Sequence, residues 1–195
     1  MFKLTLPIAL AASSVIANPV VSQTPTMIPD PDNNGEFLCG LTFDISGYTS
    51  NDFQGSAIND IAAILFGANI SISVISWDIN LTTVGNSWAD EATIGIEGQV
   101  FIIPGFGDSF GVTNMNYSSN GLVNLFDLGL PDIIVGADGI IEIEFFETGF
   151  DDNPGSPDAI YEAGSTISFY TPGWPTPGTA SLLAFAGLIA SRRKR

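Results

Sequence analysis

Almost everything in this chain that could do chemistry is an oxygen atom. Residues 4–191 contain no lysine, arginine or histidine; the basic residues are Lys3, Arg192, Arg193, Lys194 and Arg195. All 21 carboxylates lie between Asp30 and Glu162. Acid–base work would therefore fall to carboxyl pairs, and metal binding to hard oxygen ligands. The densest group is Asp151-Asp152-Asn153-Pro154-Gly155-Ser156-Pro157-Asp158. Asp151, Asp152 and Asp158 are the candidate Ca²⁺ ligands, with an unliganded surface loop as the competing reading. Asp30-Pro31-Asp32-Asn33-Asn34-Gly35 opens like an EF-hand loop, but Leu41 stands where that loop needs its bidentate glutamate. Glu142, Glu144, Glu147 and Glu162 extend the acidic set towards a pair that could act on a glycosidic bond. Acidic residues that alternate along a strand, however, usually form its solvent face.

The same census excludes whole classes of function. Nucleic-acid binding needs cations to neutralise phosphate. Phosphate-binding lysines, Schiff-base lysines and histidine catalysis are equally absent. Zinc, which favours His and Cys, has one thiol to bind, Cys39. That thiol sits in Phe37-Leu38-Cys39-Gly40-Leu41 and reads as a buried structural group with no disulfide partner. Trp77 falls on the apolar parity of its segment and reads as core. Trp88, beside Asn86-Ser87, is the one tryptophan placed to stack on a sugar. A non-enzymatic role follows.

Positioning elements come from the period of the apolar residues. Residues 1–17 read as a secretory signal peptide: Lys3 precedes the apolar run Leu4–Ala12, and Val15-Ile16-Ala17 suits cleavage. Residues 18–35 form a polar, Pro-containing leader without periodicity. Residues 36–171 form one domain. In it Phe37, Cys39, Leu41, Phe43 and Ile45 alternate at period two, as do Ile75, Trp77, Ile79 and Leu81. Ile70, Ile72 and Val74 hold the other parity, which predicts a bulge near Val74–Ile75 or two packed faces. Ile58–Phe66 fits strand or helix and is assigned strand. Further strands are expected at Ala92–Glu97, Gln99–Ile103, Leu122–Asp127, Ile133–Val135, Ile141–Phe146 and Thr166–Tyr170. Pro104–Gly111 reads as a mobile surface loop, and Ala137-Asp138-Gly139-Ile140 as a hairpin turn. The expected fold class is all-β, an antiparallel, jelly-roll-like β-sandwich, with an N-terminal signal helix and a C-terminal apolar helix.

Residues 172–195 end in Pro175-Thr176-Pro177-Gly178, an uncharged run Thr179–Ser191, and Arg192-Arg193-Lys194-Arg195. Thirteen residues make a helix of about 20 Å, short of a bilayer core of about 30 Å. The basic end would stay on the cytoplasmic side. This tail resembles a PEP-CTERM sorting signal, with Pro-Thr-Pro-Gly in place of Pro-Glu-Pro. Pro175, Pro177, Gly178 and the four terminal cations occupy the motif positions. The resemblance implies export, signal-peptidase cleavage, transient membrane anchoring and processing by an exosortase. It places the protein at the cell surface or in extracellular matrix, with exopolysaccharide as a partner. The body, in Ile75–Thr83, Ser87–Glu91 and Phe146–Asp152, resembles uncharacterised β-sandwich domains that carry such tails. The expected role is structural or adhesive, binding Ca²⁺ or polysaccharide, with a carboxylate-based glycan hydrolase as the alternative.

Overall fold

The computed structural model describes residues 25–30, 37–149 and 156–172. In chain order its strands are β1 (Thr26–Pro29), β2 (Phe37–Asp44), β3 (Thr49–Ser50), β4 (Asp60–Leu65), β5 (Ser71–Ile72), β6 (Val74–Thr83) and β7 (Ala92–Ile96). There follow β8 (Val100–Ile102), β9 (Met115–Ser118), β10 (Val123–Asn124), β11 (Ile133–Ile134), β12 (Ile140–Glu147), β13 (Ala159–Tyr161) and β14 (Thr166–Pro172).

The longest strand, β6, is the spine. Its inward parity carries Ile75, Ile79 and Leu81, all buried, and the half-buried Trp77. One edge of β6 pairs with β14 and then β13, the other with β10 and then β9. Strand β2 adds to β14, β3 to β13, and β1 to β2. The second sheet runs β4-β12-β7-β8, and β5 with β11 makes a small third one. Taking the principal strands, one sheet is ordered β2-β14-β6-β9 and the other β4-β12-β7-β8, with the chain repeatedly crossing between them. Tyr48 stacks on Phe145 across the interior at 4.7 Å, and Phe43 meets Phe66 at 6.4 Å, so the sheets share one apolar core.

The expected terminal helices are corrected. Among the described residues the only helix is the three-residue 3-10 turn Phe126–Leu128, and no helix is long and apolar enough to cross a membrane. Residues 1–17 and 173–195 lie outside the described residues. The observed fold is an all-β domain of three sheets, and nothing in it rests on a helix at either end. The physical reason within the domain is pattern: its apolar residues recur at period two between Gly, Asn and Pro turns, which leaves no helical stripe to bury.

Local expectations also shifted. Within Ile58–Phe66, Asp60–Leu65 is strand β4, with Ala62 and Ile64 inward and Ile61 and Leu65 exposed. The change of face before β6 is met by a break at Ser73, one residue earlier than expected, where β5 leaves for the third sheet. Leu122–Asp127 pairs only at Val123–Asn124, because Asn124 Oδ1 accepts the Phe126 N–H at 3.0 Å and starts the 3-10 turn. Asp138-Gly139 turns the chain, with Gly139 N–H bonded to Gly136 O at 3.1 Å, but makes no hairpin. The strands it joins part company: β11 pairs with β5, and β12 with β4 and β7. Thr26–Pro29, read as unstructured leader, is edge strand β1.

Candidate functional site

On one side the sandwich is not closed. A cavity of about 230 Å³ opens between the loop after β8 and the 3-10 turn after β10. Its floor includes Ile75, Ile102 and the fully buried Leu125; Trp77 faces it from the spine. Its rim is Phe101, Phe106 and Leu128, which are 48%, 83% and 63% exposed.

Backbone chemistry sets both walls. On the first, Phe106 N–H bonds to Ile103 O at 3.2 Å and Asp108 N–H to Gly105 O at 2.9 Å. Gly105 lies against Ala89 so closely that a Cβ there would stand 2.6 Å from the Ala89 carbonyl oxygen. Ala89 N–H in turn bonds to Phe110 O at 3.1 Å. Tyr117 donates its hydroxyl to Asp108 Oδ2 at 2.9 Å, and Ser109 to Asp90 Oδ2 at 2.6 Å. Burial, then the bond and charge of Asp108, push the Tyr117 phenol up to about 12. Pro104–Gly111, expected to be mobile, is thus fastened at several points. On the second wall Leu128 and Leu130 both donate N–H to Leu125 O, at 3.1 and 3.0 Å, and Gly129 takes the left-handed conformation that ends the turn.

No ionisable side chain lines this cavity. It offers no acid, base or nucleophile, and what it can do is take apolar surface out of water. The sequence reading missed it. A signal was present: Phe106, Phe126 and Leu128 are large apolar residues in turns, where polar residues are the rule.

The residues singled out from the sequence are dispersed. Asp151 and Asp152 lie outside the described residues. Asp158 is no exposed ligand: it is buried, its Oδ1 accepts the Ser87 hydroxyl at 2.9 Å, and its N–H binds Ser50 O at 2.8 Å as the chain enters β13. Among the described residues no group of three or more His, Cys, Asp or Glu could hold a metal ion. Of the EF-hand-like stretch only Asp30 is among the described residues. The carboxylates weighed as a hydrolytic pair divide between the faces of β12. Glu142 and Glu144 face outwards beside a shallow depression of about 130 Å³, and Glu147 is buried. Glu144 Oε1 is occupied by Gly55 N–H at 2.6 Å and Asn59 Nδ2 at 2.9 Å. Trp88 is 47% exposed but lies outside the apolar cavity, while Trp77, read as core, lines it. Cys39 is buried, and burial pushes its thiol up, as expected of a structural group.

Pro175, Pro177, Gly178, Arg192, Arg193, Lys194 and Arg195 lie outside the described residues. With no anchor helix among the described residues, the reading that made sorting, transient membrane anchoring, signal peptidase and an exosortase the basis of function is withdrawn. Protein-family models, curated proteins and solved structures yield no match to this chain.

Proposed function

We propose that this chain is a non-catalytic binding domain of the cell exterior that takes up a small, uncharged apolar molecule in the cleft bounded by Phe101, Phe106 and Leu128. One observation carries the reading: three large apolar side chains stay exposed around a cavity whose floor is fully buried. Exposing that much apolar surface opposes folding, and such surface recurs where a ligand covers it. The volume suits one or two rings, since a cavity of about 150 Å³ accommodates benzene. Charge narrows the class further. With 21 carboxylates and no cation in residues 4–191, the surroundings repel anions, fatty acids included. The absence of basic side chains from those residues also supports a non-enzymatic role and an exterior setting.

The test uses N-phenyl-1-naphthylamine, a neutral fluorophore whose two-ring naphthyl group is of this size. Its emission is expected to rise on binding, with affinity roughly tenfold weaker in Phe106→Ala and in Leu128→Ala. The anionic analogue 8-anilinonaphthalene-1-sulfonate should bind far less. Equal binding by both variants and wild type would refute the cleft as the site. Dimerisation through the same residues, seen as a concentration-dependent mass in light scattering, would refute the small-molecule reading. Fractionation of native cells tests the location; recovery in the cytoplasm alone would contradict it.

A further inference from the structure

A second constellation lies inside the sandwich, under Asn51–Phe53, where the chain crosses from one sheet to the other. Glu147 ends β12 on the parity of Ile141, Ile143 and Phe145, which are fully buried, and is itself 2% exposed. Tyr48 stacks on Phe145, and Tyr161 meets Phe145 edge-on at 4.9 Å. Two residues beyond Tyr48 stands Ser50; two beyond Phe145 stands Glu147. The two segments run alongside each other, with Glu147 N–H bonded to Asp52 O at 3.0 Å and a parallel bridge from Phe53 to Glu147. Ser50 therefore faces the end of β12 on which Glu147 sits. Tyr161 N–H bonds to Tyr48 O at 2.9 Å, which sets the Tyr161 ring against the same two segments. Both Tyr161 and Ser50 are fully buried, and neither Tyr161 Oη nor Ser50 Oγ has a hydrogen-bond partner among the described residues.

We propose that Glu147, Tyr161 and Ser50 form an internal site for a hard cation, the carboxylate supplying charge and the two hydroxyl oxygens neutral ligands. Buried polar atoms in folded proteins are almost always satisfied, so two orphan hydroxyls beside one carboxylate mark a place for a guest. The carboxylate decides its sign. Asp158, buried and bonded through its N–H to Ser50 O, adds negative potential nearby, and residues 4–191 hold no basic side chain. The ligand set is all oxygen, which suits Na⁺, Mg²⁺ or Ca²⁺ and not zinc. Such an ion would join the two sheets at this end of the domain.

The experiment is thermal unfolding of the full chain at constant ionic strength, with choline chloride exchanged for NaCl, MgCl₂ or CaCl₂. One of these cations is expected to raise the wild-type Tm by about 5 °C or more near saturation. Glu147→Gln should abolish that rise. Tyr161→Phe, which keeps the ring, should demand roughly fivefold more cation for the same rise. No rise with any cation in the wild type overturns the proposal. So does an equal rise in Glu147→Gln, because the ion would then sit on surface carboxylates. If Glu147→Gln does not fold, Tyr161→Phe decides, and a response equal to wild type overturns the site.

Discussion

Ser165 closes a gap in the spine, and its removal has a calculable cost. Between β13 and β14 the ladder along β6 is interrupted, and the fully buried Ser165 hydroxyl fills the break. Its Oγ accepts the part-buried Asn80 N–H at 3.0 Å and donates to Asn80 O at 3.1 Å. Asn80 O also accepts Glu162 N–H at 2.7 Å. Ser165→Ala therefore orphans the amide of Asn80 but not its carbonyl. A buried donor left unsatisfied costs about 1–3 kcal/mol. At ~2–4 °C per kcal/mol for a chain of this size, a loss of about 2 kcal/mol lowers Tm by ~4–8 °C. Urea unfolding followed by tryptophan fluorescence should show a lower midpoint with an unchanged slope. A contrast sharpens the test. Thr42 and Ser168 bond hydroxyl to hydroxyl at 2.7 Å, so Thr42→Val with Ser168→Ala removes both partners and should cost under about 1 kcal/mol. The reasoning is refuted if Ser165→Ala stays within about 0.5 kcal/mol of wild type, or if the double variant costs as much.

Three further outcomes are expected. The phenol of Tyr117 is raised from 10.0 to about 12, so folding keeps it neutral while the unfolded chain ionises. Stability is present in full below pH 10 and declines between 10 and 12; Tyr117→Phe should lose less over that window in urea titrations, whereas identical losses would contradict the assignment. Cys39, buried with its thiol pushed up, should react with a disulfide reagent only as fast as the domain unfolds, and prompt labelling under native conditions would show otherwise. Gly105→Ala must displace the loop from Ala89, so probe binding in the cleft should weaken several-fold and stability fall by about 1–3 kcal/mol, read by fluorescence and urea unfolding.

The sheet elements most legible in the sequence are those with a dominant dry face. Val74–Thr83 alternates because Ile75, Ile79 and Leu81 face the core while Asp78 between them is exposed. In Phe37–Asp44 the expected alternation holds only in part: Phe37 is exposed, and Leu38, Cys39 and Gly40 are buried in succession. Met115–Ser118 carries no such pattern, since its four residues are exposed or only partly buried, and its pairing with β6 rests on the main chain and on the Asn116 amide, which donates to Asp78 and Asn80. Thr26–Pro29 was hidden for the same reason. Asp138-Gly139 misled because a turn signal is local, whereas the partners of β11 and β12 are chosen by distant strands. Leu122–Asp127 misled because the Asn124 side chain competes for the Phe126 amide. Site residues were less legible than strands. Counting carboxylates favoured Asp158 as a ligand, yet its surroundings bury it on Ser87. The cleft depends on Phe106 and Leu128 meeting across two connections that are separate in sequence, a juxtaposition no spacing encodes.

The most direct measurement of the central claim is a methyl-resolved NMR titration of the full chain with N-phenyl-1-naphthylamine. The account predicts saturable shifts confined to the methyls around the cleft, those of Ile75, Ile102, Val123, Leu125, Leu128 and Leu130, with Leu38 and Ile167 unmoved. Shifts scattered over the surface, or none at ligand excess, would contradict it.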